Sequence, residues 1–468
     1  MSEETSQGDG RLHFSNPGDI DRFVETLERY ERGELTPEAW RSFRLLHGVY
    51  GQRQEGQQML RVKLPLGRVS AAQLRVIADF TERFTTGRAH VTTRQNFQFY
   101  GLTLETAPAA MSLLAEAGLT TREACGHSVR NVTAGPLAGV DPEEPFDTTP
   151  YAEALVRHLL RGPLSASLPR KFKIAFEGSS RFAMRGSIHD LAFFARVVEG
   201  RRGFRVLVGG GTSTLPRSAL EIVEFVEADE FLGIGDAILR VFHREGERTN
   251  KNKARLKWLV ASLGAEEFRR RALAEWALVR SEGPARLPFD GQAPPEEVVT
   301  AGGLQIAAER AGFAAWRRTN VTPQKQPGLF AATVTLPLGD LDSTQLRALA
   351  DLSERLSDGT LRTTVDQNLV VRHVRGESLE ALHGTLVDLG LGRSGAGTLA
   401  DITTCAGAHT CAIAVTASRG LGAILGDHLA GHPVATGEAE GFAGVDLKVS
   451  GCPGSVTPAD ITLPETTW

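Results

Sequence analysis

Three cysteines pose the first chemical question. Cys405 and Cys411 stand in "TTCAGAHTC" (403–411), and Cys452 comes later in "VSGCPGS" (449–455). Thiolates select soft metals, iron–sulfur clusters especially, and such clusters take four cysteine corners. Gly407, Gly451 and Pro453 supply the tight backbone that lets a cluster approach main-chain amides. There is no short Cys-x2-Cys hook of the kind that holds zinc. Three unrelated buried cysteines remain the plain structural alternative. A fourth, Cys125 in "EACGHSVRNVTAG", is an isolated thiol and reads as buried structure.

A second set of residues calls for an anion. Arg94, Arg130, Arg170, Lys171, Lys173 and Arg185 precede residue 190, and Arg362 and Lys448 come later. Lys171 and Lys173 are two apart in a strand-like run, so both face one side. An apolar core cannot accept two ammonium groups, so water or an anion lies there. The pattern also puts Arg94 on the same strand face as His90. "VGGG" (208–211) offers backbone N–H groups around Gly209 and Gly210 for a phosphate or carboxylate, although it lacks the spacing of a dinucleotide or P-loop motif. "RTNKNKARLKW" (248–258), opening on Arg248, is basic but too short to argue for nucleic acid.

These residues are organised by a duplication. "LPLGRVSAAQLRVIADFTERFTTGRAHVTTRQN" (64–96) aligns without a gap, at an offset of 272, on "LPLGDLDSTQLRALADLSERLSDGTLRTTVDQN" (336–368), with 15 of 33 positions identical. Each copy reads as strand, helix, strand. Ser70 is the expected N-cap of a helix that buries Leu74, Ile77, Ala78 and Phe84. Later strands are expected in "RKFKIAFEGSS" (170–180) and "VDLKVSGCPGS" (445–455). The alignment puts Arg362 in the place of His90, Asp366 in that of Arg94 and Gln367 in that of Gln95. A different block, roughly 195–315, separates the copies, with a strand in "GFRVLVGGG" (203–211) and a helix in "SALEIVEFV" (218–226). The expectation is an α+β molecule with a pseudo-twofold and its site where the copies meet, a junction suited to a large ligand.

The whole chain narrows the class. Its 468 residues allow two to four units. With 52 Lys plus Arg against 56 Asp plus Glu, the surface advertises neither nucleic acid nor an anionic membrane. No apolar run reaches the length of a membrane span. Four cysteines and no apolar leader fit a reducing cytoplasm.

The order of these segments resembles the assimilatory sirohaem-containing sulfite and nitrite reductases. The resemblance rests on "FRLLHGVYGQRQEGQQMLRVKLPLG" (43–67), "HVTTRQNFQF" (90–99), "CGHSVRNVTAGPLAGVDP" (125–142), "LPRKFKIAFEG" (168–178), "GFRVLVGGG", "RTNKNKARLKWL" (248–259), "LRTTVDQNL" (361–369), "TTCAGAHTC" and "VSGCPGS". It implies duplicated ferredoxin-like half domains with sirohaem-binding α/β domains, divided as a 1–60 extension, half domains at 61–160 and 326–395, and cofactor-binding segments at 161–325 and 396–468. It implies sirohaem beside a 4Fe–4S cluster held by Cys405, Cys411 and Cys452. The family's substrate-contacting cations fall on Arg130, Lys171, Lys173 and, in place of an arginine, His90. Arg94, Gln95, Asn131, Arg170, Gly209, Gly210, Arg248, Arg362 and Gln367 are the expected residues around the densely carboxylated macrocycle.

The reaction implied by the resemblance is a six-electron reduction of sulfite to sulfide, favoured over nitrite to ammonia. The implied donor is ferredoxin or a separate flavoprotein, and the expected form is a monomer. A related possibility is the precorrin ring-contraction oxygenase of cobalamin synthesis. The family's last motif has a second cysteine where this chain has Val456. The corresponding expectations are a truncated C-terminus, an incomplete cluster and impaired catalysis.

Overall fold

The structure, a computed structural model, describes residues 12–179, 183–213, 215–283, 285–289, 310–436 and 445–452. Val456 and the segment after Cys452 lie outside the described residues. The described residues form two compact units, one of residues 12–121 with 310–452 and the other of residues 122–289.

The first unit holds both copies of the duplication. The first copy contributes β1 (Val49–Gly51), β2 (Gln58–Val62), β3 (Arg68–Ser70), β4 (Ala89–Val91) and β5 (Phe97–Leu102). The second unit contains β6 (Thr133–Ala134), β7 (Ile174–Glu177), β8 (Leu191–Val198), β9 (Arg201–Val208) and β10 (Leu220–Glu227). Back in the first unit, the second copy contributes β11 (Val321–Pro323), β12 (Leu329–Val334), β13 (Asp340–Leu341), β14 (Thr360–Thr363) and β15 (Leu369–Arg375). The parallel pair β16 (Thr403–Thr404) and β17 (Lys448–Val449) completes the unit's strands.

The duplicated sequence produces duplicated local structure. Ser70 caps the helix Ala71–Phe84 through a capping box with Gln73, and Asp342 does the same for the helix Ser343–Leu356 with Gln345. The first helix buries Leu74, Ile77 and Ala78 as its periodicity predicts, whereas Phe84 at its end is only partly buried. Before each helix the Pro-Leu-Gly turn places its leucine in the left-handed region, Leu66 at φ 59° and Leu338 at φ 58°.

Those turns send each copy into the other. β3 leaves the first copy and pairs antiparallel with β14, opposing Arg68 to Arg362. β13 leaves the second copy and pairs with β4, opposing Asp340 to His90. The two five-stranded sheets therefore run β1-β2-β5-β4-β13 and β11-β12-β15-β14-β3, each closed by a strand from the other copy. Gln95 Nε2 donates to Thr363 O at 2.9 Å and Gln367 Nε2 to Val91 O at 3.1 Å, so the exchange is fastened reciprocally. Across the helices, Arg75 pairs with Asp351 and Glu354, and Arg347 with Asp79 and Glu82. A single apolar core runs through both copies, from Phe23 and Trp40 to Leu382 and Leu391.

The second unit is a sheet of order β10-β9-β8-β7-β6, with β6, β7 and β8 parallel and β8, β9 and β10 antiparallel. Phe176, Phe193, Phe204 and Phe231 pack as rings with centroids 4.9–5.8 Å apart. The segment "SALEIVEFV", expected as a helix, is β10. Two register shifts against β9 leave Ile222 and Val226 as its buried residues, and that i, i+4 spacing imitates a helical stripe.

The exchange makes the turn glycines exacting. A Cβ on Gly67, at φ +72°, would lie 2.5 Å from Thr363 O, whereas one on Gly339, at φ +73°, would meet its nearest atom at 3.0 Å. Gly67→Ala is expected to destabilise the chain by about 3 kcal/mol and Gly339→Ala by less. Denaturant unfolding of both variants checks the order, and equal losses would contradict it.

Candidate functional sites

The cysteines lie in the first unit on a knot of backbone contacts. Thr403 and Thr404 of β16 pair with Lys448 and Val449 of β17, which brings the segments bearing Cys405 and Cys452 together. Cys405 N donates to Val449 O, Val415 N to Gly451 O and Cys411 N to Gly407 O. The first copy grips the same loops, with Arg53 N on Thr410 O and Gln54 Nε2 on His409 O. Cys405 Sγ accepts from Gly451 N at 3.2 Å and lies 3.2 Å from Ser418 Oγ. Burial raises the Cys405 thiol, but the hydrogen bonds from Ser418 and the nearby amides outweigh it and hold the pKa below the usual value.

This donor set fits an iron–sulfur cluster in kind: soft ligands, with the Gly451 N–H aimed at a ligand sulfur. It is not a closed set. Among the described residues, no three His, Cys, Asp or Glu side chains are grouped to hold a metal ion. Cys125 is buried in the second unit, with 3% of its surface exposed.

His90, Arg94, Gln95, Arg362 and Gln367 also belong to the first unit. The expected strand face shared by His90 and Arg94 is not formed. β4 ends at Val91, and residues 92–96 turn back towards β5 with Gln95 at φ +56°. His90 is buried at β4, its Nδ1 2.9 Å from Asp340 Oδ1 and its Nε2 3.0 Å from Gln367 Nε2. Arg362 is fully buried on β14.

Arg130, Asn131, Arg170, Lys171, Lys173, Gly209, Gly210 and Arg248 belong to the second unit. Its organising group is Asp190, which the sequence did not reveal. Asp190 is fully buried and accepts two hydrogen bonds from Arg255, at 3.1 and 2.8 Å, and one from Lys173 N at 2.8 Å. That pairing holds the extended run carrying Lys171 and Lys173 as it enters β7. Burial, then the charges of Arg255, Arg130 and Arg170, push Lys171 down to about 7, against the opposing pull of Asp190. Arg130 donates to Gly126 O and Ala124 O, and Arg170 Nη1 lies 3.0 Å from His127 Nε2. Burial and the charges of Arg170, Lys251, Arg130 and Arg248 together depress His127, so the local field is strongly positive.

The expected glycines and Arg248 have local backbone partners. The amides of Gly209 and Gly211 donate to Asp190 O and Arg217 O. A Cβ on Gly210 would lie 2.2 Å from Ser187 O, so this glycine allows backbone to pack on backbone. The run thus packs backbone against backbone, with the Gly209 and Gly211 amides already engaged. Arg248 is exposed and donates to the Ser167 and His243 carbonyls.

Comparison with known proteins adds a second line. A family model described as the nitrite and sulphite reductase 4Fe-4S domain matches residues 125–278, and one described as the nitrite/sulfite reductase ferredoxin-like half domain matches 50–117 and 322–389. The chain is 35% identical over 350 residues to a chloroplastic ferredoxin–nitrite reductase of Zea mays, covering 72% of this chain and 57% of that protein. It is 34% identical over 337 residues to the ferredoxin–nitrite reductase of Synechococcus elongatus, covering 70% and 61%. It is 29% identical over 427 residues to sulfite reductase (ferredoxin) 1 of Mycolicibacterium paratuberculosis, covering 87% and 72%. The solved structure of the Mycobacterium tuberculosis NirA protein superposes with a TM-score of 0.75 at 28% identity, covering 95% of this chain and 82% of that one. The chain thus spans less than two thirds of the first two relatives.

The depressed Lys171 yields a direct test. Below pH 7 its ammonium adds to the field of Arg130, Arg170 and Arg255, and above pH 7 it is neutral while they stay charged. Affinity for sulfate, whose own charge is constant over this range, should fall about tenfold between pH 6 and 8. Calorimetric titration should show that decline flattened in Lys171→Arg, and an equal decline in that variant would contradict the assignment.

Proposed function

We propose, from the premise that this chain belongs to the nitrite and sulphite reductase family, that it reduces nitrite to ammonia. The observation carrying the chemistry is that Lys171 lies in the field of Arg255, Arg130 and Arg170, offset by the one carboxylate Asp190 that Arg255 binds, a surplus of positive charge that suits a small anion. The preference for sulfite drawn from the sequence gives way to nitrite, because relatives at 33–35% identity are named as nitrite reductases, against 29% for the sulfite reductase relative. Sulfite stays as the second reading on a specific ground: the sulfite reductase relative aligns with 87% of this chain.

When bound, sirohaem and a 4Fe–4S cluster would supply the electron transfer that no side chain here can perform. Cys405, Cys411 and Cys452 would hold the cluster. In the first unit Arg94, Gln95, Arg362 and Lys448 offer donors for the carboxylates of such a macrocycle, and in the second Arg130, Lys171 and Lys173 offer positive charge for a small anion. Lys171 is suited to hand on protons near neutrality, since its ammonium exchanges readily at about pH 7, whereas the arginines keep their charge throughout. Asp190 and Arg255 fix the lysine-bearing run so that these charges need not reorganise when the anion arrives. The reading includes ferredoxin, or a separate flavoprotein, as donor. No described helix is long and apolar enough to cross a membrane.

Chain purified without oxygen and supplied with sirohaem, iron and sulfide should consume nitrite with a reduced viologen, and sulfite more slowly. Lys173→Met should lower kcat/KM for nitrite about 100-fold. Cys405→Ser should lose most of its iron and acid-labile sulfide. Consumption of neither anion by fully loaded chain would defeat the proposal, and faster sulfite turnover would select the second reading.

A further inference from the structure

The seam where the second copy's strand joins the first copy's sheet carries a hydrogen-bond chain whose direction can be read from its ends. Gln367 Oε1 lies 2.8 Å from Thr404 N, which can only donate, so that atom must be the carbonyl oxygen. Gln367 Nε2 lies 3.1 Å from Val91 O, which can only accept, so that atom must be the amide nitrogen. Two backbone groups thus exclude the flipped amide. The same Nε2 lies 3.0 Å from His90 Nε2. Since the amide nitrogen can only donate, His90 Nε2 must accept, and the ring proton belongs on Nδ1. There it donates to Asp340 Oδ1 at 2.9 Å. Asp340 also receives Arg419.

Both ends of this chain reach Cys405. Thr404 is its immediate neighbour. Arg419 comes directly after Ser418, whose hydroxyl donates to Cys405 O at 2.9 Å. The surroundings leave little room for rearrangement: Gly339 lies so close that a Cβ there would sit 3.0 Å from Gln367 Cβ and 3.2 Å from His90 Cε1. His90, Asp340 and Gln367 are each at most 8% exposed.

We propose that Gln367 is a positioning residue that locks His90 as the neutral Nδ1–H tautomer and anchors the Cys405 segment to the exchange seam. His90 then serves the geometry of the cysteine loop and adds no positive charge for the anion. That differs from the role its alignment with a family arginine implies, and it moves Gln367 from the macrocycle to the seam. The consequence for the cysteine rests on the cluster-binding reading above, whereas the tautomer does not.

The test separates the two. In the full chain carrying 15N-labelled histidine, with no cofactor added and His90 signals identified by their loss in His90→Asn, the spectrum at pH 7 should show Nδ1 protonated and Nε2 unprotonated. Gln367→Glu keeps an acceptor for Thr404 N but turns the group facing His90 into a carboxylate, so both ring nitrogens should become protonated. A wild-type spectrum with Nε2 protonated, alone or together with Nδ1, overturns the tautomer, and it decides the matter even if the variant does not fold. Ring shifts unchanged in a folded Gln367→Glu overturn it as well. In cluster-loaded protein, Gln367→Ala should retain about tenfold less iron after a chelator challenge than wild type. Equal retention would overturn the anchoring of Cys405 while leaving the tautomer standing.

Discussion

The first unit depends on one constraint: neither copy of the duplication can complete its sheet alone. A strand edge presents unpaired N–H and C=O groups, and here β3 and β13 satisfy the edges of each other's copy. Several other features are consequences of that trade. The Pro-Leu-Gly turns must throw the chain sideways, which puts Leu66 and Leu338 in the left-handed region. Gly67 must lack a side chain because the partner copy's Thr363 carbonyl occupies the place where one would go. Gln95 and Gln367, held at φ +56° and +66°, reach across to carbonyls of the opposite copy. The cysteine loops hang from this seam through Thr404 and through Arg419 with its neighbour Ser418.

The second unit is governed by a different force. A carboxylate as deeply buried as Asp190 is costly unless it is paired and hydrogen-bonded, and Arg255 with the Lys173 amide meets both demands. Burial takes Lys171 out of water, and Arg255, with Arg130 and Arg170, then repels its charge, so that keeping a proton becomes difficult. A structural pairing and a chemically active lysine are therefore one arrangement. Arg255 steadies the strand entry by binding Asp190 and makes the neighbouring ammonium labile by repelling it.

Much of this was legible in the chain, because duplicated sequence repeats its local physics. The cap at Ser70, the helix it opens and the alignment of His90 with Arg362 are readable from the sequence and its 272-residue offset. The exchange of β3 and β13 is not, since alternation and propensity are the same whether a strand pairs at home or abroad. Residues 92–96 read as extended because Thr92 and Thr93 favour strands, yet Gln95 turns the chain with a backbone conformation its side chain does not announce. The bulges in β10 spaced two inward residues four apart and so counterfeited a helix. Among the site residues, the cysteines and Lys171 were visible by type and spacing. Asp190, Ser418 and Arg419 were not, because a lone polar residue gains meaning only from the neighbour that folding brings to it.

The equivalent cross-strand positions at the two seams have diverged, with His90 facing Asp340 at one and Arg362 facing Arg68 at the other. The ridge of reciprocal ion pairs between the helices has kept its symmetry. A chain bearing one copy would carry an incomplete sheet and a strand with nowhere to go, and two such chains would satisfy each other about a twofold axis. The architecture is that of a homodimer made permanent by joining its protomers end to end. Fusion freed each half from having to mirror the other, and the histidine seam is one place where that freedom has been used.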